Sequence, residues 1–455
     1  MPSESHDVIV VGGGTAGTFA ASTIADAGLD VVLLERKSEE EAGHIACGDA
    51  VKGKATFPDV IDLEYLRQEA FTNENITRAR FENPDDGEAI DIPFDKPGAV
   101  VDRKRYGEVL LEEAERIGTD VRYNTLVQDV IQDDGQVVGV RTKENGSGKT
   151  FEADIVIDAA GALSILQDKG DFSDATFDTN VNYRQYCSAY REVIETDRPV
   201  DYGDAIVFMP TDELGYLWYF PRTETEINAG LGFQMNRPPM KLVDVLKREV
   251  SNRPEFENAR VVDKLGAALP TRRPFDSAVA PGFAAVGDAA GHVNPATGGG
   301  IPGAAKAGHW AANAAIDAIE AGDLSEEALW EYNELVMHNF GRRFAAIDLY
   351  NVWAGTHTVE ELTEIVTALP GQALVDALAG DAEGMSLSLK LQTLLGTYGH
   401  WRTLYELYQV HTRASELKSI YAQYPSDPEE FAEWQERRDE IYDEVYEITG
   451  ADPKY

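Results

Sequence analysis

The chain has 455 residues, 80 of them Asp or Glu against 40 Lys or Arg, for a formal net charge of −40. Such a field repels nucleic acid, and two cysteines, Cys47 and Cys187, cannot supply a disulfide framework or a cysteine-held cluster. A hydrophobic content of 43 % and dense glycine motifs exclude a disordered chain, so the acids, spread along the sequence, read as the solvated surface of a folded, salt-adapted protein.

The length gives room for two or three domains and a large core. No apolar run reaches the roughly 18 residues of a membrane span. The opening Met1–Asp7 is short and polar rather than a signal peptide. A cytoplasmic location is expected.

The most informative stretch comes first: Asp7-Val8-Ile9-Val10-Val11-Gly12-Gly13-Gly14-Thr15-Ala16-Gly17. Four apolar residues running into glycines predict a buried parallel strand, a tight turn and a helix start. Gly12, Gly14 and Gly17 stand in the G-x-G-x-x-G spacing. The first allows the turn, the second lets a pyrophosphate touch the backbone, and the third lets the helix close on the strand. Ala16 lies inside that turn, where free N–H groups at a helix start attract an anion. The second strand, Val31–Leu34, ends in Glu35 and Arg36. An acid at that point accepts from ribose hydroxyls in dinucleotide-binding folds.

Residues 37–60 read as a loop, and 61–97 as an insertion of short strands broken by Asn-Pro and Lys-Pro. Asp102-Arg103 opens an amphipathic helix to about Ile117, followed by strands at Val121–Tyr123, Gln136–Thr142 and Phe151–Ala160. From about 170 to 265 period-2 stretches replace βαβ spacing, with a hairpin of Tyr216–Pro221 and Ile227–Phe233. Gly282–Gly291 returns to strand-then-glycine chemistry around Gly287-Asp288. The loop Pro295–Gly303 has a second formal G-x-G-x-x-G, but no strand enters it; it reads as a glycine loop opening an Ala-rich helix near Gly303, with Pro302 at its first turn. The chain is helical from 325 onward. The expected fold is α/β: a Rossmann-type nucleotide-binding domain (1–60, 98–169, 266–324), a mostly antiparallel β domain (61–97, 170–265), and a helical C-terminal region (325–455).

An aspartate at a strand end, as at Asp288, suits a polyol hydroxyl. The early glycine motif, Glu35, Asp102-Arg103, Gly161 and Gly287-Asp288 together resemble the FAD-dependent oxidoreductases of the p-hydroxybenzoate-hydroxylase-like fold over about residues 6–320. That resemblance implies FAD, with Glu35 on the adenosine ribose, Asp288 on the ribityl or diphosphate part, and Arg103 near the flavin and its phosphates. A solvated helix-start charge is the alternative for Arg103. It also implies that the helix opened by this glycine loop points its N-terminus at the flavin pyrimidine, with Gly300 and Ile301 on the cofactor, where its dipole favours negative charge. Without a second dinucleotide domain, the reductant is an external donor such as NAD(P)H or ferredoxin. Aromatic hydroxylases carry Asp-Gly where this chain has Ala160-Gly161, which points away from that activity.

His44-Ile45-Ala46-Cys47-Gly48-Asp49 and Gly215-Tyr216-Leu217-Trp218-Tyr219-Phe220-Pro221 are similar to the cysteine loop and the Y-x-W-x-F-P segment of the geranylgeranyl reductase family. This resemblance implies an FAD-dependent reductase of isolated C=C bonds in isoprenoid chains, including those of archaeal ether lipids. It implies a catalytic role for Cys47, a prenylated lipid substrate, and peripheral contact with the inner face of the cell membrane. Strand alternation puts Tyr216, Trp218 and Phe220 on one face, as core or as the wall of a lipid pocket. Cys47 reads either as a small buried apolar residue or as a group that positions substrate or relays a proton. A thiol of ordinary pKa, about 8.5, is a poor acid for an unpolarised alkene. Cys187 and His44 carry no assigned role: a structural thiol and a surface imidazole. Rival readings on the same fold are a flavin monooxygenase or halogenase, an electron-transfer flavoprotein feeding quinone, and a flavin-containing lipid carrier.

At a net charge of −40 self-repulsion opposes compaction, and salt screens it over a Debye length of about 10 Å at ~0.1 M. The melting temperature is therefore expected to climb from low to molar potassium chloride, and a calorimetric scan indifferent to salt would contradict the salt-adapted surface.

Overall fold

The computed structural model describes residues 3–84, 87–144, 147–178, 186–211, 215–234, 238, 240–362 and 401–453. Its first elements are β1 (Ser3–Val11), α1 (Thr15–Asp26), β2 (Val31–Leu34), α2 (Glu39–Ala42), β3 (Ala50–Val51) and α3 (Leu63–Ala70). There follow β4 (Phe71–Glu82), β5 (Ala89–Val101), α4 (Arg103–Ile117), β6 (Asp120–Arg122), β7 (Thr125–Asp133), β8 (Gln136–Glu144) and β9 (Ser147–Asp158). Next come α5 (Ile165–Lys169), β10 (Tyr186–Glu195), β11 (Ala205–Pro210), β12 (Gly215–Pro221), β13 (Glu226–Gln234), α6 (Met240–Asn252) and β14 (Arg260–Pro270). The remainder holds β15 (Val279–Ala280), β16 (Phe283–Ala285), α7 (Ile301–Ala321), α8 (Trp330–Val336), α9 (Arg342–Ala354) and the helices Trp401–Tyr421 and Phe431–Thr449.

Two sheets carry the fold. The first runs β15-β16-β9-β1-β2-β6, with the β7–β8 hairpin added antiparallel to β9. Its centre is parallel: Val8 pairs with Val31 on one side and Ile155 on the other. Val8, Ile9 and Val10 are fully buried, as a strand covered on both faces requires. The chain leaves β1 toward β2 and returns on its other side at β9, so the carboxyl end of β1 is a switch point, where open α/β sheets bind ligands.

The glycine turn shows why no side chain is tolerated there. Gly12 has φ 107°, and a Cβ on it would strike the Ala159 carbonyl. A Cβ on Gly17 would run into the Gly12 carbonyl oxygen and lie 3.1 Å from the Ala159 Cβ. Helix α1 thus lies hard against β1 and β9. On its outer side Gly308 of α7 meets the Ala16 backbone equally closely.

The second sheet runs β14-β10-β13-β12-β11-β4-β5-β3 and is antiparallel except where β11 meets β4. It differs from the sequence expectation in two ways. Residues 61–97 form a helix and two long strands rather than several short ones. Proline in β5 is tolerated because only the two-residue β3 lies outside it, and the β4–β5 register slips repeatedly around Asn73 and Ile76. Also, Ala50–Val51 and Gly98–Val101 join this sheet, although they lie in stretches the sequence places with the nucleotide-binding part. A two-residue strand carries no periodicity by which to find it.

Helix α7 begins at Ile301, two residues before the expected Gly303, with Pro302 in its first turn. The described C-terminal residues are helical, while 363–400, part of the expected helical region, lie outside the described residues. Buried ions fix these helices to the first sheet. Asp276 receives Arg438 and the Tyr421 hydroxyl, and lies 2.8 Å from Arg273; Asp348 accepts from Arg272 and the Tyr442 hydroxyl. Among the described residues, no helix is long and apolar enough to cross a membrane.

Gly17→Ala is expected to cost about 1–3 kcal/mol as α1 is pushed off β1, and to weaken flavin binding in parallel. Thermal melts with and without added cofactor would check both.

Candidate active site

A continuous cleft of about 2490 Å³ runs from the carboxyl end of the first sheet to the inner face of the second. Single small-molecule sites occupy roughly 300–1,000 Å³, so the cleft has space for a dinucleotide and a second ligand. Gly12–Ala16, Glu35, Arg36, Arg103, Asp288, Gly300 and Ile301 line one part, and Cys47, Tyr216, Trp218 and Phe220 line another. Of the candidate cofactor, substrate and catalytic residues, all but Gly17 line this one cleft; Gly17 lies behind it, in the helix contact.

The cleft's nucleotide part is built from backbone donors and two buried charges. Helix α1 starts at Gly14 with no side-chain cap, so its first amides are free for an anion. A Cβ on Gly14 would meet only Ile45 Cδ1 at 3.8 Å, leaving open space over the turn. Glu35 is buried, and its two oxygens accept from Gly13 N and Lys37 N, each at 2.8 Å. Carboxylate oxygens have further lone pairs for ribose hydroxyls. Arg36 is exposed on the rim.

Arg103 is 4 % exposed, which removes the solvated helix-start alternative. Nη2 donates to Thr15 Oγ1 at 3.1 Å, the guanidinium lies over the Tyr106 ring, and Nη1 is buried without a partner. A buried, half-paired cation beside a free helix N-terminus calls for an anion, and a diphosphate fits.

Asp288 sits in the turn after β16. A Cβ on Gly300 would lie 3.6 Å from its Oδ1, so the carboxyl faces the uncapped start of α7. Burial pushes Asp288 up to about 6, against the pull of Arg103. His292 accepts from Gly287 N through Nδ1 and is held neutral, pushed down to about 3 by burial.

The other part is aromatic. On β12, Leu217 and Tyr219 point into the core behind the sheet, while Tyr216, Trp218 and Phe220 group on the cleft face. Phe81, Ile92, Phe94, Ile206 and Phe208 extend that face. The Tyr216 hydroxyl donates to Thr297 O at 2.7 Å, tying the aromatic strand to the glycine loop before α7. Gly48 lets the cysteine loop lie on this wall: a Cβ there would be 3.1 Å from Phe220 and 3.5 Å from Trp218 Nε1. The Cys47 thiol accepts from Asp49 N at 3.2 Å; burial, then the Asp49 charge, push it up, against Arg103.

Two residues without an assigned role are in the site after all. Cys187 also lines the cleft, and burial pushes its thiol up to about 11. His44 is no surface imidazole: it is half-buried, lines the cleft, and pairs with Asp263 at 2.9 Å. Asp49, Arg222 and Asn228 were missed altogether. Arg222 holds Asp49 through Nε at 2.8 Å and Nη2 at 2.6 Å. Asn228 donates to Cys47 O at 2.9 Å and to Asp49, and accepts from Trp218 Nε1 at 2.9 Å. Only the adjacency of Asp49 to Cys47 hinted at this group.

The family described as FAD dependent oxidoreductase matches residues 7–170. The chain shares the fold of the myxobacterial chondrochloren halogenase (20 % identity, TM-score 0.60, covering 87 % of this chain and 97 % of that one). It is also similar to the structure of a geranylgeranyl bacteriochlorophyll reductase-like protein from Thermoplasma acidophilum (25 % identity, TM-score 0.72, 86 % and 100 % covered). Fold and site define an FAD-dependent oxidoreductase. The digeranylgeranylglycerophospholipid reductase of Methanothrix thermoacetophila is 32 % identical over 74 % of this chain and 85 % of that one. That of Sulfolobus acidocaldarius is 27 % identical over 98 % and 99 %. The chain belongs to the digeranylgeranylglycerophospholipid reductase family.

The Asp288 carboxyl holds its proton to higher pH when folded than its unfolded value of about 3.9. Ionising it therefore costs stability, from about pH 4 upward and fully above about pH 6. Asp288→Asn is expected to stabilise the flavin-free protein at neutral pH by at most ~3 kcal/mol, to change nothing below about pH 4, and to weaken FAD binding. Urea unfolding at the two pH values and a flavin titration would check this.

Proposed function

We propose that the protein reduces isolated C=C bonds in the geranylgeranyl chains of membrane ether lipids, using electrons from an external donor such as NAD(P)H or ferredoxin. The observation that carries this reading is the meeting of the Cys47 loop and the Tyr216–Trp218–Phe220 face in the cleft that holds the flavin site. In this reading Gly12, Gly14, Ala16, Gly17, Glu35, Arg36, Arg103, Asp288, Gly300 and Ile301 hold FAD, and the second sheet holds the lipid. Bound FAD, once reduced, supplies the hydride.

The chain's own residues do the rest. The apolar wall of β4, β5, β11 and β12 takes an isoprenoid chain out of water, worth about 25 cal/mol per Å² buried. An isolated alkene has no carbonyl to polarise it, so charge builds on carbon as it is reduced. The faces of Trp218, Tyr216 and Phe220 stabilise positive charge there by about 0.5–2 kcal/mol per well-placed ring. Cys47 holds a proton at Sγ on the cleft wall. A thiol this weakly acidic gives up its proton only in concert with charge building at the carbon. Since the lipid resides in a bilayer, the protein works at the membrane's inner surface by peripheral contact.

The test is anaerobic incubation of reduced protein with an unsaturated archaeal-type lipid, followed by mass spectrometry. Gain of two mass units per bond, with reoxidation of the flavin, is expected. Cys47→Ser should keep fold and flavin spectrum, costing about 1–3 kcal/mol at most, while lowering turnover at least tenfold. Cys187→Ser, also in the cleft, should turn over far better. Equal turnover by the two variants would reduce Cys47 to packing, and no reduction by wild-type protein would remove the lipid assignment.

A further inference from the structure

Asp49 is fully buried next to Cys47 and is held in an unusual way. Its backbone has φ 70°, a left-handed conformation uncommon outside glycine. One oxygen, Oδ2, takes both Arg222 donors and the Asn228 amide. The other, Oδ1, is buried without a partner. Arg222 is itself buried, with Glu226 at 3.4 Å and Asp102 at 3.9 Å as its remaining acids. Asn228 uses the same amide to hold Cys47 O, and its oxygen to hold Trp218. One carboxylate therefore anchors, through two side chains, both the cysteine loop and the aromatic strand.

Resting on the reading of Cys47 given above, we propose that Asp49 is the positioning residue of Cys47. Its anchored carboxylate fixes the 44–51 loop on the Trp218 strand, and its negative charge keeps Cys47 in the neutral thiol form at the cleft wall. A thiolate there would lose the proton to be relayed and put a charge against an apolar chain. The groups facing this pair from other elements are the guanidinium groups of Arg103, Arg191 and Arg222, the phenols of Tyr106 and Tyr216, and the acids Asp102 and Glu226. Arg103 and Arg191 pull the thiol toward ionisation, and Asp49 opposes them, acting in the same sense as burial.

The test needs no lipid. In FAD-loaded protein carrying Cys187→Ser, the rate of Cys47 alkylation by iodoacetamide is followed against pH. With Asp49 intact the midpoint should lie above the ordinary thiol value of about 8.5. Asp49→Asn should move the midpoint down, so that alkylation near pH 8 runs on the order of tenfold faster at an unchanged high-pH plateau. A raised plateau with an unmoved midpoint means a merely loosened loop and overturns the proposal, as does an unchanged profile. Should Asp49→Asn leave Arg222 uncompensated and fail to retain flavin, Asp49→Asn with Arg222→Met removes both charges, and the same downward shift is required of it. Failure of the Cys47 reading is seen separately: normal lipid reduction by Cys47→Ser, whatever the alkylation profile.

Discussion

The close approach of α1 to the first sheet is the constraint from which the rest follows. Backbone meets backbone at Gly12 and Gly17, and α7 meets α1 at Gly308. Those contacts leave no room for side chains, so the free amides of α1 and the uncapped start of α7 converge on the carboxyl end of the sheet. Two helix N-termini aimed at one volume make a field suited to a diphosphate at one end and to developing negative charge at the other. The buried Arg103 and Asp288 are groups that the proposed bound dinucleotide would satisfy. In the free protein Asp288 is costly, a case of stability yielded to binding.

The second sheet is joined to this frame by short links. The 44–51 loop ends in β3, which pairs with the end of β5, and β5 runs directly into Asp102 and Arg103 at the start of α4. Arg222, at the end of β12, reaches back to Asp49 in that loop. Tyr216, at the other end of the same strand, reaches Thr297 in the loop before α7. The aromatic strand is thus pinned at both ends to segments that face the flavin site. In the proposed function, a hydrophobic chain on Trp218 would be held at a distance set by hydrogen bonds rather than by the loose fit of apolar surfaces.

What could be read from the sequence divides along physical lines. The nucleotide site was legible because its chemistry is backbone chemistry: glycines at fixed spacing, a strand before them, an acid at the end of the next strand. The face of Tyr216, Trp218 and Phe220 was legible from strand alternation alone. The buried ionic group of Asp49, Arg222 and Asn228 was not, because Arg222 and Asn228 lie 173 and 179 residues from Asp49 in sequence and reach it only through sheet topology. In a chain with 80 acids, nothing in the sequence marks Asp49 as the one that is buried. The length of β4 and β5 was hidden by their charged, half-exposed residues, which mimic loop composition.

The buried ionic groups at Asp276 and at Asp49 do different work, and the difference is geometric. At Asp276 the acid meets Arg273, Arg438 and the Tyr421 hydroxyl, so it is surrounded by donors; breaking such a group costs about 3–5 kcal/mol, and its effect is to fix the C-terminal helices. At Asp49 the Arg222 and Asn228 donors crowd onto one oxygen and the other is buried without a partner. Stability alone would favour a partner for that oxygen, since an unsatisfied buried acceptor costs about 1–3 kcal/mol. The carboxylate is instead a source of negative potential near the Cys47 thiol, acting there in the same sense as burial. The fold accepts that cost where the two sheets, the cysteine loop and the aromatic strand come together.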